Sequence, residues 1–271
     1  MLCIVNSSKD AREIYRRLPQ EGITLHLSRM MCPVHIRETI DIIKKSLASD
    51  DAPIIRVVAT QLVEAGVDID FPVVYRQEAG LDSVLQAAGR CNREGRLDMG
   101  ETHIFSLSEH SLPKGYMQKA NQARIDLGDN IDWFAPETMT RYFRNLYSDT
   151  SSFDKKDMKH YLYSFREGLC LEEAAKKFHL IEEDGYNVVV RWRDSPKLTA
   201  KLEESGPSYS LMKKLGQYMV RVHKSDFETL KQMGVLKEIK DGLYALEYDQ
   251  QYDASVGLSI DNNWANEVLI K

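Results

Sequence analysis

The chain has 271 residues, 43% hydrophobic and 28% charged, which is ordinary globular composition with enough length for one large domain or two smaller ones. Its formal net charge of -5 excludes a surface that attracts nucleic acid as a whole. Residues 1–112 carry 13 Lys and Arg against 16 Asp and Glu, so any phosphate-binding charge must be concentrated locally.

The elements, in chain order, begin with Leu2-Cys3-Ile4-Val5, a short apolar β run that opens at once, as expected of a chain cut at a domain boundary or of one half of a larger machine. Asn6-Ser7-Ser8 leads into an amphipathic helix with Ala11, Ile14, Tyr15 and Leu18 on one face, ended by Pro19 and Gly22. Ser7 or Ser8 is expected to cap that helix. Residues 23–27 predict a second strand, and Pro33 starts a helix that runs to about Ala48. Ser28, Arg29 and Arg37 flank the junction, where hydroxyls and guanidinium groups hold phosphates as readily as they cap and solubilise. A turn over 50–53 precedes a strand ending at Thr60. A strand over 73–75, a helix over 81–89 and a strand over 103–107 follow. This alternation predicts an α/β lobe, a parallel sheet covered on both faces.

Residues 112–153 lose strand character, with helices expected over 117–125 and 136–147. Trp133, Phe134, Tyr142, Phe143 and Tyr147 there read as packing groups and not as a base-stacking platform. From 161 onward a helix over 171–178, a strand over 186–192 and a helix over 208–215 lead to strands over 219–223, 234–239, 243–248 and 256–260. Lys-Ser-Asp and Asp-Gly turns would separate them in a small α+β domain. Arg191, Arg193, Lys213, Lys214 and Arg221 are expected on its solvated surface. Cys3, Cys32, Cys91 and Cys170 form no Cys-x-x-Cys pair and read as reduced, buried thiols. With no apolar run of membrane-spanning length, a cytoplasmic protein is expected.

Chemistry concentrates between Val57 and Arg96. The apolar run to Thr60 and Gln61 stops at polar residues, as a buried parallel strand does before its loop, and Gly66 and Asp68 fall where α/β sheets place ligand-binding groups. Next comes Gln86-Ala-Ala-Gly89-Arg90-Cys-Asn-Arg93. Arginines three apart on one helical turn would leave the same face and grip phosphate oxygens, while Gly89 admits a close neighbour.

Thr60-Gln61 with Gly66-Val67-Asp68 resembles motif V, and Gln86 to Arg93 motif VI, of superfamily 2 helicases. The fuller wording, ATQLVEAGVDIDFPVVYR and LDSVLQAAGRCNREG, with CIVNSSKDAREIYRRL and LHLSRMMCPVHIRE before it, is similar to the CRISPR-associated helicase-nuclease of type I systems. The resemblance implies a RecA-like second lobe (residues 1–112), a helical linker (113–155) and a C-terminal accessory domain (156–271). It also implies roles. Arg90 and Arg93 would reach the γ-phosphate of ATP, Gln86 would orient them, and Gly66, Asp68 and Gly89 would border the nucleotide. Thr60, Gln61, Ser7, Ser28, Arg29 and Arg37 would lie along single-stranded DNA. ATP and Mg2+ would be shared with a first lobe outside this chain, the nuclease metal would be bound elsewhere, and the RNA-guided Cascade complex would be the recruiting partner.

The chain contains no Gly-Lys, Asp-Glu or His-Asp dipeptide, so the phosphate loop, the magnesium-holding pair and the nuclease signature of that family are missing. It is expected to be inactive alone. The second lobe of another superfamily 2 helicase, or a stand-alone regulatory module, are the alternatives.

Overall fold

The computed structural model describes residues 1–19, 21–49, 53–108, 112, 115–128, 130–148, 154, 156–163, 168–178, 185–240 and 242–260. Most of the turn expected over 50–53, and Asp241 of the Asp-Gly turn, lie outside the described residues.

The first unit alternates β1 (Leu2–Val5), α1 (Ser8–Arg17), β2 (Ile23–Leu27), α2 (Pro33–Leu47), β3 (Ile55–Thr60), β4 (Val73–Gln77), α3 (Leu81–Ala88) and β5 (Glu101–Phe105). All pairings are parallel, in the order β2-β3-β1-β4-β5. β1 lies at the centre and is buried along its whole length, which is why it reads as a continuous apolar run. One face packs Leu2, Ile4, Val57 and Ala59 against Ile43, Met31, Ile69 and Phe71. The other packs Cys3, Val5 and Val58 against Ala11 and Ile14. Because the strands are parallel, the loops after β1, β3 and β4 all leave one edge.

Two helices, α4 (Tyr116–Ile125) and α5 (Pro136–Ser148), bury Ala120, Ala123, Tyr142 and Leu146 against Leu81 of α3. Tyr142 is fully buried, and its hydroxyl donates to the Asp82 carboxylate at 2.7 Å. Trp133 and Phe143 pack beside it as expected, Tyr147 stacks on Phe143 from a partly exposed position, and Phe134 faces solvent.

Beyond two short helices, α6 (Met158–Tyr163) and α7 (Leu171–Lys177), the C-terminal unit holds β6 (Gly185–Val189), α8 (Ser195–Ser205), α9 (Tyr209–Leu215), β7 (Met219–His223), α10 (Lys224–Gln232), β8 (Leu236–Lys240), β9 (Leu243–Leu246), β10 (Tyr252–Asp253) and β11 (Gly257–Leu258). Its mixed sheet runs β7-β6-β9-β8, and β10 with β11 forms a separate two-stranded ribbon. The Lys-Ser-Asp stretch is not a turn. Lys224 opens α10, because Phe227 and Leu230, three apart, share a face that buries against Val188, Val220 and Val222. The α8 helix was likewise unforeseen, with Pro196 in its first turn and Leu198 and Leu202 packed inward.

The two units share a core. Cys32 and Val34 of the first join Val190, Val235, Tyr252 and Leu258 of the second. The Tyr252 hydroxyl accepts from the Cys32 amide at 2.9 Å and lies 3.0 Å from His35 Nδ1, while the Leu258 amide donates to the Met30 carbonyl at 2.7 Å.

Two predictions follow from this junction. Gly257 has φ +80°, and a Cβ there would lie 2.3 Å from the Met30 carbonyl oxygen, so Gly257→Ala is expected to lose more than about 1 kcal/mol in denaturant titration. His26 is buried, and its pKa is lowered from 6.5 to about 4 by that burial and then by Arg12. Between those values the unfolded chain takes a proton that the folded chain refuses, so stability falls as pH drops. His26→Gln should remove about 2 kcal/mol of the loss between pH 6.5 and 4.5, read as the difference from wild type.

Candidate functional site

β3 ends at Thr60, a 3-10 turn (Gln61–Val63) follows, and the loop reaches Gly66 in the left-handed region at φ +73° with open space where a Cβ would stand. Ile69 and Phe71 return it to the core. There the loop is stitched to the segment after α3. The Phe71 amide donates to the Arg90 carbonyl and the Asn92 amide to the Phe71 carbonyl, each at 2.9 Å. The Asp70 carboxylate accepts from the amides of Arg93 (2.7 Å) and Glu94 (3.3 Å). The two sequence motifs are thus one structural object.

The arginines differ from expectation. Helix α3 stops at Ala88 with Gly89 as its C-cap, and Asn92 takes φ +45°, so Arg90 and Arg93 lie beyond the helix and not on one of its turns. Arg90 is 9% exposed, and its Nη2 donates to the Glu64 carbonyl at 2.6 Å. Burial, and then the neighbouring Arg93, push its pKa below the ordinary arginine value. Arg93 is half exposed, 3.3 Å from the exposed Asp68 carboxylate, an ion pair weak enough to be exchanged for another anion. Gln86, Gly66, Asp68 and Gly89 are also exposed. The open positions therefore include Gln86, Gly66, Asp68, Gly89 and Arg93, while Arg90 faces inward and holds the loop.

Beneath them lies a polar cluster. Arg76 is fully buried, with Nε 2.9 Å from the Glu64 carboxylate and Nη1 donating to Asn6 Oδ1 and the Gln77 carbonyl, both at 2.8 Å. The Asn6 amide donates to Gln77 Oε1 at 2.8 Å, its Nδ2 to the Glu78 carbonyl at 2.9 Å, and Gln61 Nε2 to Asn6 Oδ1 at 3.3 Å. Burial raises the Glu64 pKa more than Arg76 lowers it. Sequence reasoning missed Asn6, Glu64, Asp70 and Arg76 as site residues. The available signal was Arg76 itself, a charge inside a strand that must be covered on both faces and so needs a partner.

The residues expected along DNA divide. Ser7 caps α1, its Oγ accepting from the Asp10 amide at 3.0 Å. Ser28 is fully buried, with its hydroxyl 3.0 Å from His26 Nε2 and accepting from the Met30 amide at 3.2 Å. It is out of reach of a phosphate in this arrangement, and the buried Thr60 is too. Gln61 is turned to Asn6. Arg29 is exposed and lines a groove of about 500 Å³ between the two units, with Ser8, Arg221 and His223 nearby. Arg37 donates to Gln217 Oε1 at 2.6 Å. Of the C-terminal cations, Arg191 pairs with Asp249, and Arg193 lies 3.3 Å from Glu38 and over the Trp192 ring. Cys3 and Cys32 are buried, and Cys91 and Cys170 only partly. Among the described residues no group of three His, Cys, Asp or Glu is placed to hold a metal, and no helix is long and apolar enough to cross a membrane.

Residues 1–96 match the family model described as CRISPR-associated nuclease/helicase Cas3, C-terminal. The chain is similar to the CRISPR-associated nuclease/helicase Cas3 of Haloferax volcanii, 39% identical over 69 residues, and to that of Methanothermobacter thermautotrophicus, 30% identical over 112 residues. Those matches cover 25% and 40% of this chain but only 7% and 13% of the relatives. In structure it resembles T. fusca Cas3 with AMPPNP at TM-score 0.60 and 16% identity, over 95% of this chain and 38% of that one. A chain of a CRISPR RNA-guided surveillance complex, pre-nicking, gives TM-score 0.56 at 15% identity, over 95% and 40%. Identities this low carry the fold alone. Together the matches support a C-terminal part of a Cas3 helicase-nuclease, with an α/β, RecA-like lobe.

The Asp70 clamp yields a prediction. Asp70→Ala should lose about 2 kcal/mol in denaturant titration, since a carboxylate accepting from two amides is a charge-assisted contact, and should speed hydrogen exchange at Arg93 and Glu94.

Proposed function

We propose that this chain supplies the second motor lobe (1–112), a helical linker (113–155) and an accessory domain (156–271) of an ATP-dependent, single-stranded-DNA-translocating helicase-nuclease of type I CRISPR interference. The observation that carries the reading is the stitched loop pair, which exposes Gln86, Gly66, Asp68, Gly89 and Arg93 while anchoring them through Arg90 and Asp70.

The exposed positions fit a nucleotide. Gly66 offers open space at the loop tip, and Arg93 has only a solvated carboxylate to release. ATP with Mg2+, shared with a first lobe, supplies the free energy of phosphoryl transfer when bound. On this side of the cleft Arg93 would leave Asp68 for phosphate oxygens, Asp68 would accept from the ribose, and Gln86 would orient the arginine. Arg90 keeps the 64–68 loop at the right height from below. Arg29 and Arg37, which are exposed, and the amides at the start of α1 would bear on the DNA backbone. Such contacts position without reading sequence. Target choice then falls to an RNA-guided partner, Cascade in this reading, and the nuclease metal to a domain outside this chain.

The test is DNA-stimulated ATP hydrolysis by this chain alone, by the chain mixed with a first lobe from the same source, and by variant mixtures. Activity is expected only in the mixture. Arg93→Ala should lower turnover by about 10³-fold or more, and Arg90→Ala by about 10²-fold through displacement of the loop. Hydrolysis by the chain alone would overturn the split site, and an inert, well-folded mixture would favour the stand-alone regulatory module.

A further inference from the structure

Glu64 joins the exposed loop pair to the buried polar cluster through both its backbone and its side chain. Its backbone carbonyl accepts from Arg90 at 2.6 Å, and its side-chain carboxylate lies 2.9 Å from Arg76 Nε. Arg76 continues to Asn6 Oδ1 at 2.8 Å, and the same oxygen receives Gln61 Nε2 at 3.3 Å. Asn6 directly precedes Ser7, the cap of α1. Glu64 is 7% exposed and Arg76 fully buried, so neither side chain has water to fall back on. A shift at either end is therefore passed along a buried polar chain, in which Ser83 also bonds the Glu64 carboxylate and the Gln77 carbonyl also accepts from Arg76.

From this connectivity we propose that Glu64 is a positioning residue, and that the Glu64–Arg76–Asn6 chain sets the height of the nucleotide-side loop and of the β1–α1 loop together. The inference rests on the motor reading of the same cleft and deepens it. It assigns to a charge pair inside this lobe the coordination between the arginine-bearing segment and the loop that would lie beside DNA. Burial raises the carboxyl of Glu64 and lowers the guanidinium of Arg76, and each partner opposes that shift in the other.

A purely structural ion pair would also be destabilising to break, so the test needs a variant that restores stability without the charges. Glu64→Gln breaks the pair while keeping its shape. The double variant Glu64→Leu with Arg76→Met replaces both charges by apolar groups, an exchange that often preserves or raises stability. Hydrogen exchange of the chain by itself is followed at the amides of Asn6 and Asp10 on one side and of Asn92 and Arg93 on the other, with the amides of β2 as reference.

The positioning role predicts that exchange quickens by about tenfold at both ends in both variants, while β2 is unchanged and the double variant melts at or above the wild-type temperature. Wild-type exchange at both ends in the double variant, or a response at one end only, overturns it. Should the double variant not fold, the same comparison in Glu64→Gln decides. In mixtures with the first lobe, stimulation of ATP hydrolysis by single-stranded DNA should fall by about 10²-fold with KM for ATP unchanged. If the wild-type mixture is inert, the motor reading fails while the exchange measurement still decides the role of Glu64.

Discussion

A guanidinium and a carboxylate are costly to bury at the end of a parallel sheet, and Arg76 and Glu64 are tolerable there because they stand 2.9 Å apart while Arg76 also donates to Asn6 and Gln77 and Glu64 also bonds Ser83. Removing one partner of such a pair typically costs about 3–5 kcal/mol, because the other is left charged without water. The pair closes the space between the end of β4 and the loop after β3, where an apolar side chain could fill volume but could not hold Asn6. Asn6 in turn ties the end of β1 to Gln77 and Glu78. The three central loops of the sheet are thus fixed to one another by polar contacts, while the strands behind them are fixed by packing.

This division of labour explains why the site is rigid underneath and open above. Ile69 and Phe71 bury their side chains in the core, and the Phe71–Cys91 bridge and the Asp70 clamp hold the segment after α3 by its backbone. Side chains are then released from structural duty. Gln86, Asp68 and Arg93 remain at the surface because the backbone needs nothing from them. Arg90 is the exception, since its guanidinium holds the Glu64 carbonyl.

The lobe was readable because its central strands β1 and β3 are mostly apolar runs of the kind a doubly covered parallel sheet requires, alternating with amphipathic helices, and the observed strands fall within a few residues of the expected ones. The motif residues were readable as a set but not in their poses. An Arg-x-x-Arg spacing says nothing of a helix that ends one residue earlier, and Gly89 was read as a close-approach residue when it is also the C-cap. Ser28 reads as a polar loop residue, yet the chain turns there beneath the C-terminal unit, and only the long-range contact between Met30 and Leu258 reveals it. In the C-terminal unit short amphipathic stretches carry weak periodicity. Lys224-Ser225-Asp226 looks like turn chemistry until Phe227 and Leu230 find a sheet to cover.

That same contact bears on how the two units act. Met30, Cys32, Val34 and His35 belong by sequence to the lobe but by packing to the core of the C-terminal unit, through Tyr252, Trp192 and Leu258. Arg12 of α1 reaches across as well, donating to the Leu258 carbonyl at 3.2 Å and to Ser259 Oγ at 3.1 Å. The attachment therefore falls on α1 and on the start of α2, at the edge from which Asn6 and the loop after β3 also emerge. A displacement of the C-terminal unit would be felt first at α1 and its cap, one residue from Asn6, and only afterwards at Arg90. The C-terminal unit is consequently joined to the lobe at the side where Asn6 and Ser7 lie, and the buried cluster lies between it and Arg90.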